Sequence, residues 1–128
     1  MKYQYNPLIV NNRIKDTRLN GSGLWFIVWS GNEGRYKPHF HICNEENPKS
    51  KKYFECCIRL DICDYFNHKP NHKLLTSKQK KTVISFLKST FKNNKTVWQY
   101  LVQLWSMQYP TTKINNMPDY SKLKTIGE

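Results

Sequence analysis

The sequence lacks acidic residues over a long stretch, because no Asp or Glu occurs between Asp64 and Asp119. That stretch contains nine lysines, which are Lys69, Lys73, Lys78, Lys80, Lys81, Lys88, Lys92, Lys95 and Lys113. A field of one sign favours polyanions such as nucleic acid, an acidic protein or an anionic surface. The alternative is a solvated lysine face that keeps the protein soluble. The formal net charge of +12 fits either interpretation.

Other absences narrow the class of protein. The sequence has no run of about 18 apolar residues, which excludes a transmembrane helix and predicts that the protein has no membrane partner. The first seven residues contain no apolar segment typical of a secretory signal, so we expect a cytoplasmic protein. The four cysteines are then expected to be reduced thiols. No Cys-x-x-Cys pair occurs, so the usual spacing of a zinc ribbon is missing.

The length of 128 residues predicts one domain, which we place at residues 1–110, followed by a polar C-terminal tail at 111–128. Strand-like segments come first and helix-like segments follow. This order predicts an α+β fold with a small antiparallel sheet of three to five strands. Two C-terminal helices are expected to pack on one face of that sheet. Residues 24–29 are apolar at every position and are typical of a central strand.

Two segments predict strands that each carry one polar face. Side chains alternate along a strand, so His39 and His41 point to one side, opposite Phe40 and Ile42. Residues 53–62 alternate strictly and predict a half-buried strand. If the two strands are neighbours, their polar faces coincide. The shared face then carries His39, His41, Cys43, Glu55, Cys57, Arg59 and Asp61.

This polar face allows three interpretations. As a catalytic site, His39 and His41 with Asp61 supply a general acid and base, and Arg59 stabilises charge on a phosphate without any metal or cofactor. As a metal site, two histidines with a thiolate or carboxylate are suitable ligands. We assign no metal and no cofactor, because the nearby cation of Arg59 would repel a metal ion. As a structural surface, the histidines hydrogen-bond to the acids and the face binds a partner.

Two further histidines follow in the segment at 64–73, which is expected to be a loop. His68 and His72 lie beside lysines there, and they are predicted to be exposed to solvent. The four tryptophans, at 25, 29, 98 and 105, are predicted to be core residues rather than platforms for stacking bases.

Two helices are expected in the second half of the chain. Thr76 and Gln79 match a capping box, which begins a helix that runs to about Phe91. At about 100° per residue, four lysines form a stripe roughly 80° wide on this helix. These lysines, Lys78, Lys81, Lys88 and Lys92, are the predicted nucleic-acid-binding residues. Thr96 is positioned to cap a second, mostly apolar helix that runs from Val97 to about Met107.

The order of these segments resembles a family of small uncharacterised bacterial domains, domain of unknown function 4160. The matching segments are Pro38 to Ile42, Arg59 to Ile62, Leu75 to Gln79, and Trp98 to Trp105. Members of that family are often encoded beside small partner proteins in arrangements like toxin–antitoxin pairs. The resemblance therefore implies a possible small protein partner and a toxin–antitoxin, phage or mobile-element context, but no reaction.

The main hypothesis is a small basic domain that binds nucleic acid or another polyanion through the lysines of its first helix. One alternative is a metal-independent endoribonuclease-like toxin that uses the His39/His41 face. Another is an accessory or inhibitor protein that binds to a nucleic-acid-handling partner. Whether the protein is an enzyme stays open at this point.

Overall fold

The structure, a computed structural model, describes residues 8–29, 37–66, 72–90, 94–112 and residue 126. Lys92, His68 and most of the predicted tail lie outside these described residues. The strands are β1 (Leu8–Val10), β2 (Arg13–Lys15), β3 (Trp25–Ile27), β4 (His39–Cys43) and β5 (Glu55–Arg59). The helices are α1 (Ser77–Lys88), α2 (Val97–Gln108) and a short 3-10 helix (Pro110–Thr112). The predicted α+β class is confirmed.

The five strands form one antiparallel sheet in the order β1-β2-β3-β4-β5. β3 is the middle strand, as its uniformly apolar sequence predicted. The alternation of side chains gives the sheet two faces. The inner face is formed by Ile14, Phe26, Phe40, Ile42, Cys56 and Ile58, and these residues belong to the main core. The outer face is formed by Trp25, Ile27, His39, His41, Cys43, Glu55, Cys57 and Arg59.

Both helices pack their apolar residues into the core of the inner face. α1 contributes Val83, Phe86 and Leu87, and the ring of Phe86 lies 4.9 Å from that of Phe26. α2 contributes Val97, Trp98, Leu101, Val102 and Trp105. Burial of large apolar and aromatic side chains is the main stabilising contribution to such a core.

Each helix begins at a capping box. The box at Thr76 was predicted, whereas for Thr96 the prediction was a cap alone. In both boxes the threonine oxygen accepts from the amide three residues later, and a glutamine side chain accepts from the threonine amide. α1 ends at Lys88 and not near Phe91, because Ser89 is extended and its amide bonds to the carbonyl of Phe86. The prediction therefore made α1 about one turn too long.

β5 is also shorter than the alternating pattern at 53–62 predicted. The chain turns after Arg59, and Cys63 has a positive φ of 53°. The returning segment, expected to be a plain loop, bonds along the edge of β5. The amide of Phe66 donates to the carbonyl of Cys57, and that of Lys73 donates to the carbonyl of Glu55. These bonds place the side chains of Phe66 and His72 over the outer face.

Within the part of the chain that the structure describes, no helix is long and apolar enough to cross a membrane. Beyond the 3-10 helix, the structure describes only Ile126, and its side chain is fully buried in the main core.

Candidate functional site

Five polar side chains meet on the outer face and form what we call the histidine cluster. Its members are His39, His41, Glu55, Cys57 and His72. The pairing of β4 with β5 places His41 opposite Cys57 and Cys43 opposite Glu55. His72 comes from the segment that returns along β5. The cluster is therefore built by neighbouring strands and a covering segment.

The two strand histidines lie side by side, as the alternation along β4 predicted. Their ring centroids are 5.1 Å apart. Both residues are 1% exposed, however, so the face that carries them is not open to solvent. Phe66 and Trp105 cover His39, with ring centroids 5.0 and 5.3 Å from its imidazole.

His41 is the central member of the cluster. Its Nδ1 lies 2.8 Å from Glu55 Oε2 and 3.2 Å from Cys57 Sγ. The carboxylate of Glu55 can only accept when ionised, so the bond at 2.8 Å has His41 Nδ1 as its donor. Glu55 also accepts a hydrogen bond of 3.0 Å from the hydroxyl of Tyr53.

Opposing effects set the protonation of Glu55. Burial alone raises the pKa of this carboxyl, but hydrogen bonds from His41 and Tyr53 and the nearby His72 outweigh it. The pKa of Glu55 consequently lies below its ordinary value. Burial and the neighbouring carboxylate raise the pKa of Tyr53, so its hydroxyl remains a donor at neutral pH.

The burial of His72 differs from its prediction. His72 was predicted to be solvent-exposed, but its side chain is 1% exposed and its Nε2 lies 3.7 Å from Glu55 Oε1. The prediction was wrong because it took no account of hydrogen bonds to β5. A backbone bond from Lys73 to Glu55 holds His72 and Lys73 against that strand. The sequence of residues 64–73 carried no alternation that would have revealed the pairing.

Arg59 and Asp61 form an ion pair apart from the cluster. Arg59 lies opposite His39 in the register of β4 and β5. Its guanidinium makes two bonds to Asp61, of 2.9 and 2.6 Å, and both side chains are between a quarter and a third exposed. The positive charge of Arg59, which would repel a metal ion, is thus already paired with the carboxylate of Asp61.

The other half of the outer face is aromatic and basic. Trp25 donates to Glu45 at 2.6 Å, and the guanidinium of Arg13 lies 5.8 and 5.6 Å from the rings of Trp25 and Trp29. The ring of Trp29 is 6.1 Å from that of His41. Trp98 and Trp105 are in the main core as predicted, whereas these two are on the opposite face. Positions 25, 27 and 29 are spaced two residues apart, and side chains at that spacing on a strand point to the same face. This spacing already indicates that Trp25 and Trp29 share a face.

All four cysteines are buried thiols. Cys43 shares the outer face with Cys57, but it is outside the histidine cluster. Burial and the neighbouring Glu55 raise the pKa of Cys43 to about 11, so this thiol stays protonated at neutral pH. Cys56 and Cys63 belong to the main core, as predicted for Cys56.

The lysines of α1 form a second candidate site, on the far side of that helix from its buried residues. Lys78 and Lys81 are exposed and Lys88 is half-buried. We call these three residues the lysine row. Lys92, the fourth residue of the predicted stripe, lies outside the described residues. The histidine cluster and the lysine row are carried by different elements, with the sheet between the cluster and α1.

A catalytic use of the histidine cluster on RNA meets a steric obstacle. The side chains of His41 and His72 are each 1% exposed, and Phe66 covers His39. A general acid or base must come within hydrogen-bond reach of its substrate. A phosphodiester therefore has little access to these rings in this arrangement.

Comparisons of the chain with protein-family models, with curated proteins and with solved structures give no match. The similarity to the small bacterial domains noted from the sequence stays a prediction.

Proposed function

We propose that the protein binds nucleic acid or a similar polyanion through the lysine row of α1. The observation that carries this proposal is a row of three lysines, two exposed and one half-buried, on a helix whose own segment has no acidic residue. The described residues from 72 to 112 contain no Asp or Glu.

The position of the lysine row follows from the burial of α1. Val83, Phe86 and Leu87 face the core, and at about 100° per residue Lys78 and Lys81 fall on the opposite side. From Lys78 to Lys88 the helix rises about 15 Å, which matches roughly four of the 3.4 Å intervals between phosphates along the axis of a duplex. The row is thus long enough for several phosphate contacts.

The surroundings of the row keep its charge positive. Asp16 is linked to α1 through Arg18. Its side chain is 0% exposed and paired with Arg18. Arg18 in turn donates to Thr82 O and Ser85 Oγ of α1, both at 3.1 Å. The bonds of Arg18 therefore place a neutral Asp16–Arg18 pair beside the row, with its carboxylate kept away from solvent.

A groove next to the row extends the candidate surface. It has a volume of about 370 Å³ and lies between the turn after β2 and α1. Its lining residues are Arg18, Leu19, Asn20, Lys81, Thr82 and Ser85. Side chains with hydroxyl, amide and basic groups are those that contact phosphates and sugars in protein–nucleic acid complexes.

The test compares the wild type with a triple variant, Lys78→Gln, Lys81→Gln and Lys88→Gln. Binding of labelled single-stranded RNA and duplex DNA is measured by fluorescence anisotropy at several salt concentrations. Each phosphate contact releases counterions, so affinity should fall steeply with salt. If all three lysines contact phosphates, the triple variant lowers the log–log salt slope by about 2.7 for duplex DNA and about 2 for single strands.

The matched control removes the same charge elsewhere. Lys49, Lys51 and Lys52 are exposed in the loop before β5, and their conversion to Gln should leave most of the affinity and slope in place. An equal loss in both triple variants would show a diffuse charge effect and refute the assignment to α1. An absence of wild-type binding at low salt would refute the function itself.

A further inference from the structure

We propose that the histidine cluster is a structural transition-metal site that binds one Zn²⁺ ion per chain. His39, His41 and Cys57 supply three ligands, and the pair Glu55 and His72, on the same face, supplies the fourth. This inference is independent of polyanion binding, since it concerns the outer face of the sheet and not α1.

The donor atoms fall into two groups of three that share His41, and each group is compact enough for one ion. Each of His39, His41 and Cys57 offers a ligand atom within 4.8 Å of the others, and the same holds for His41, Glu55 and His72. Zinc–nitrogen bonds of about 2.0–2.1 Å and zinc–sulfur bonds of about 2.3 Å place tetrahedral ligands about 3.3–3.6 Å apart. The distance of 3.2 Å between His41 Nδ1 and Cys57 Sγ is already near that spacing. Zinc bound at this nitrogen would replace the proton that His41 donates to Glu55, because a ligating imidazole must be deprotonated at the metal-binding nitrogen. Small side-chain movements would complete the site.

A hydrogen bond already orients one of the ligands. His39 Nδ1 lies 2.7 Å from the carbonyl oxygen of Lys37. A carbonyl can only accept, so Nδ1 carries the proton and Nε2 carries the lone pair. Zinc-bound histidines commonly donate their second ring nitrogen to a backbone carbonyl in this way.

Burial explains why an ion would stabilise this arrangement. Three imidazoles, a carboxylate and a thiol meet where the side chains of His41 and His72 are 1% exposed. Polar groups are costly to bury unless they are paired or coordinate a metal. Nitrogen and sulfur donors together favour zinc over magnesium or calcium. A site closed by Phe66 and His72 is typical of structural zinc, which leaves no position for a substrate.

The first experiment measures metal in the untagged protein, purified from zinc-supplemented cells without chelator. Mass spectrometry should find about one zinc per chain. A chelator should lower the thermal midpoint, and added Zn²⁺ should restore it, because metal affinity adds to the free energy of unfolding. Less than about 0.1 zinc per chain, together with a midpoint that neither chelator nor Zn²⁺ changes, would overturn the proposal.

The second experiment identifies the thiolate by cobalt substitution. Co²⁺-loaded wild type should show the intense thiolate-to-cobalt charge-transfer absorption, and Cys57→Ala should lose it. Cys43→Ala is the matched control, because Cys43 is a buried thiol on the same face but outside the cluster. The absorption should persist in this variant. Loss in the Cys43 variant with retention in the Cys57 variant would refute the ligand assignment.

Two further variants separate the possible fourth ligands. Glu55→Gln and His72→Gln are each compared with the wild type by zinc competition against a chromophoric chelator. The variant that removes the fourth ligand should lose more than 100-fold in affinity, and the other should lose about 10–100-fold, the range for groups that orient a ligand. Unchanged affinity in both variants would overturn the four-ligand site. If Cys57→Ala fails to fold, the wild-type cobalt spectrum, its loss on chelation and its persistence in Cys43→Ala still decide the thiolate assignment.

Discussion

At the scale of single residues, the buried carboxylate of Asp16 accepts several hydrogen bonds at once. It accepts two bonds from the guanidinium of Arg18, at 2.9 and 3.1 Å, and bonds from the amide and hydroxyl of Ser22. Gly21 lies so close that a Cβ at this position would be 2.6 Å from Asp16 Oδ1. The turn at 20–23, which is rich in Gly and Ser, is shaped to surround this carboxylate.

The first prediction is that Asp16→Asn destabilises the protein by about 1.5–3 kcal/mol at neutral pH, the range for hydrogen bonds to charged groups. Burial raises the pKa of Asp16, but the bonds from Arg18 and Ser22 outweigh it and the pKa lies below its ordinary value of 3.8. A carboxyl with a lowered pKa stabilises the fold above its unfolded pKa and loses that effect as pH falls through its folded pKa. The difference between wild type and variant should therefore shrink as the pH falls below about 3.8. Urea unfolding between pH 7 and pH 2 measures it.

Asp61→Asn is the matched control for this prediction. Asp61 makes the same two-bond pair with an arginine two positions away, but both side chains are partly exposed. Exposed pairs contribute about 0–1 kcal/mol. Equal losses in the two variants would contradict the importance of burial, as would a loss at Asp16 that does not change with pH.

At the scale of elements, both α-helices begin with a capping box, but the two boxes differ in their exposure to solvent. Thr76 begins α1 where both side-chain bonds are exposed, whereas the corresponding bonds of Thr96 are partly buried. Thr96 also pairs with Thr90 in an isolated bridge between the two helices. The second cap thus holds both the start of α2 and the connection from α1.

The second prediction is that Thr96→Ala lowers the free energy of unfolding by about 1–2 kcal/mol and Thr76→Ala by about 0.5–1 kcal/mol. The reason is that water can replace the exposed bonds of Thr76 more readily than those of Thr96. Thr111→Ala, at an exposed position outside both α-helices, serves as the control. Chemical denaturation of the three variants measures the differences, and a larger loss at Thr76 than at Thr96 would contradict the argument.

The elements also show what could be predicted from the sequence and why. Alternation placed His39 and His41 together on β4, the threonine–glutamine spacing located the start of α1, and Thr96 marked the start of α2. These signals depend only on neighbouring residues. The end of β5 was predicted too late, since the alternation continues to Ile62 while the backbone already turns. The approach of His72 to Glu55 could not be predicted, because it depends on hydrogen bonds between the edge of β5 and a segment without strand periodicity.

At the scale of the whole molecule, the main core includes a residue near the end of the sequence. Ile126 is fully buried among the core residues of the inner face. Trp105 bonds through Nε1 to the carbonyl of Thr112, at 3.1 Å, which holds the start of the C-terminal segment against α2.

The third prediction is that Ile126→Ala destabilises the protein by about 2–5 kcal/mol, the range for removing a large aliphatic side chain from a core. Met107→Ala is the control, because Met107 is 70% exposed. Thermal and urea unfolding of both variants measure the difference. A loss below about 0.5 kcal/mol at Ile126 would show that the C-terminal residues do not contribute to the core.

The placement of two tryptophans beside the histidine cluster gives the molecule an intrinsic optical reporter. The ring of Trp105 lies 5.3 Å from His39 and that of Trp29 lies 6.1 Å from His41. Indole emission is quenched by protonated imidazoles and by open-shell ions such as Co²⁺ and Cu²⁺ at such distances. Changes in the cluster should therefore be visible in the fluorescence of the unlabelled protein. Substitution of Trp29 or Trp105 by Phe, one at a time, would assign the signal to one side of the cluster.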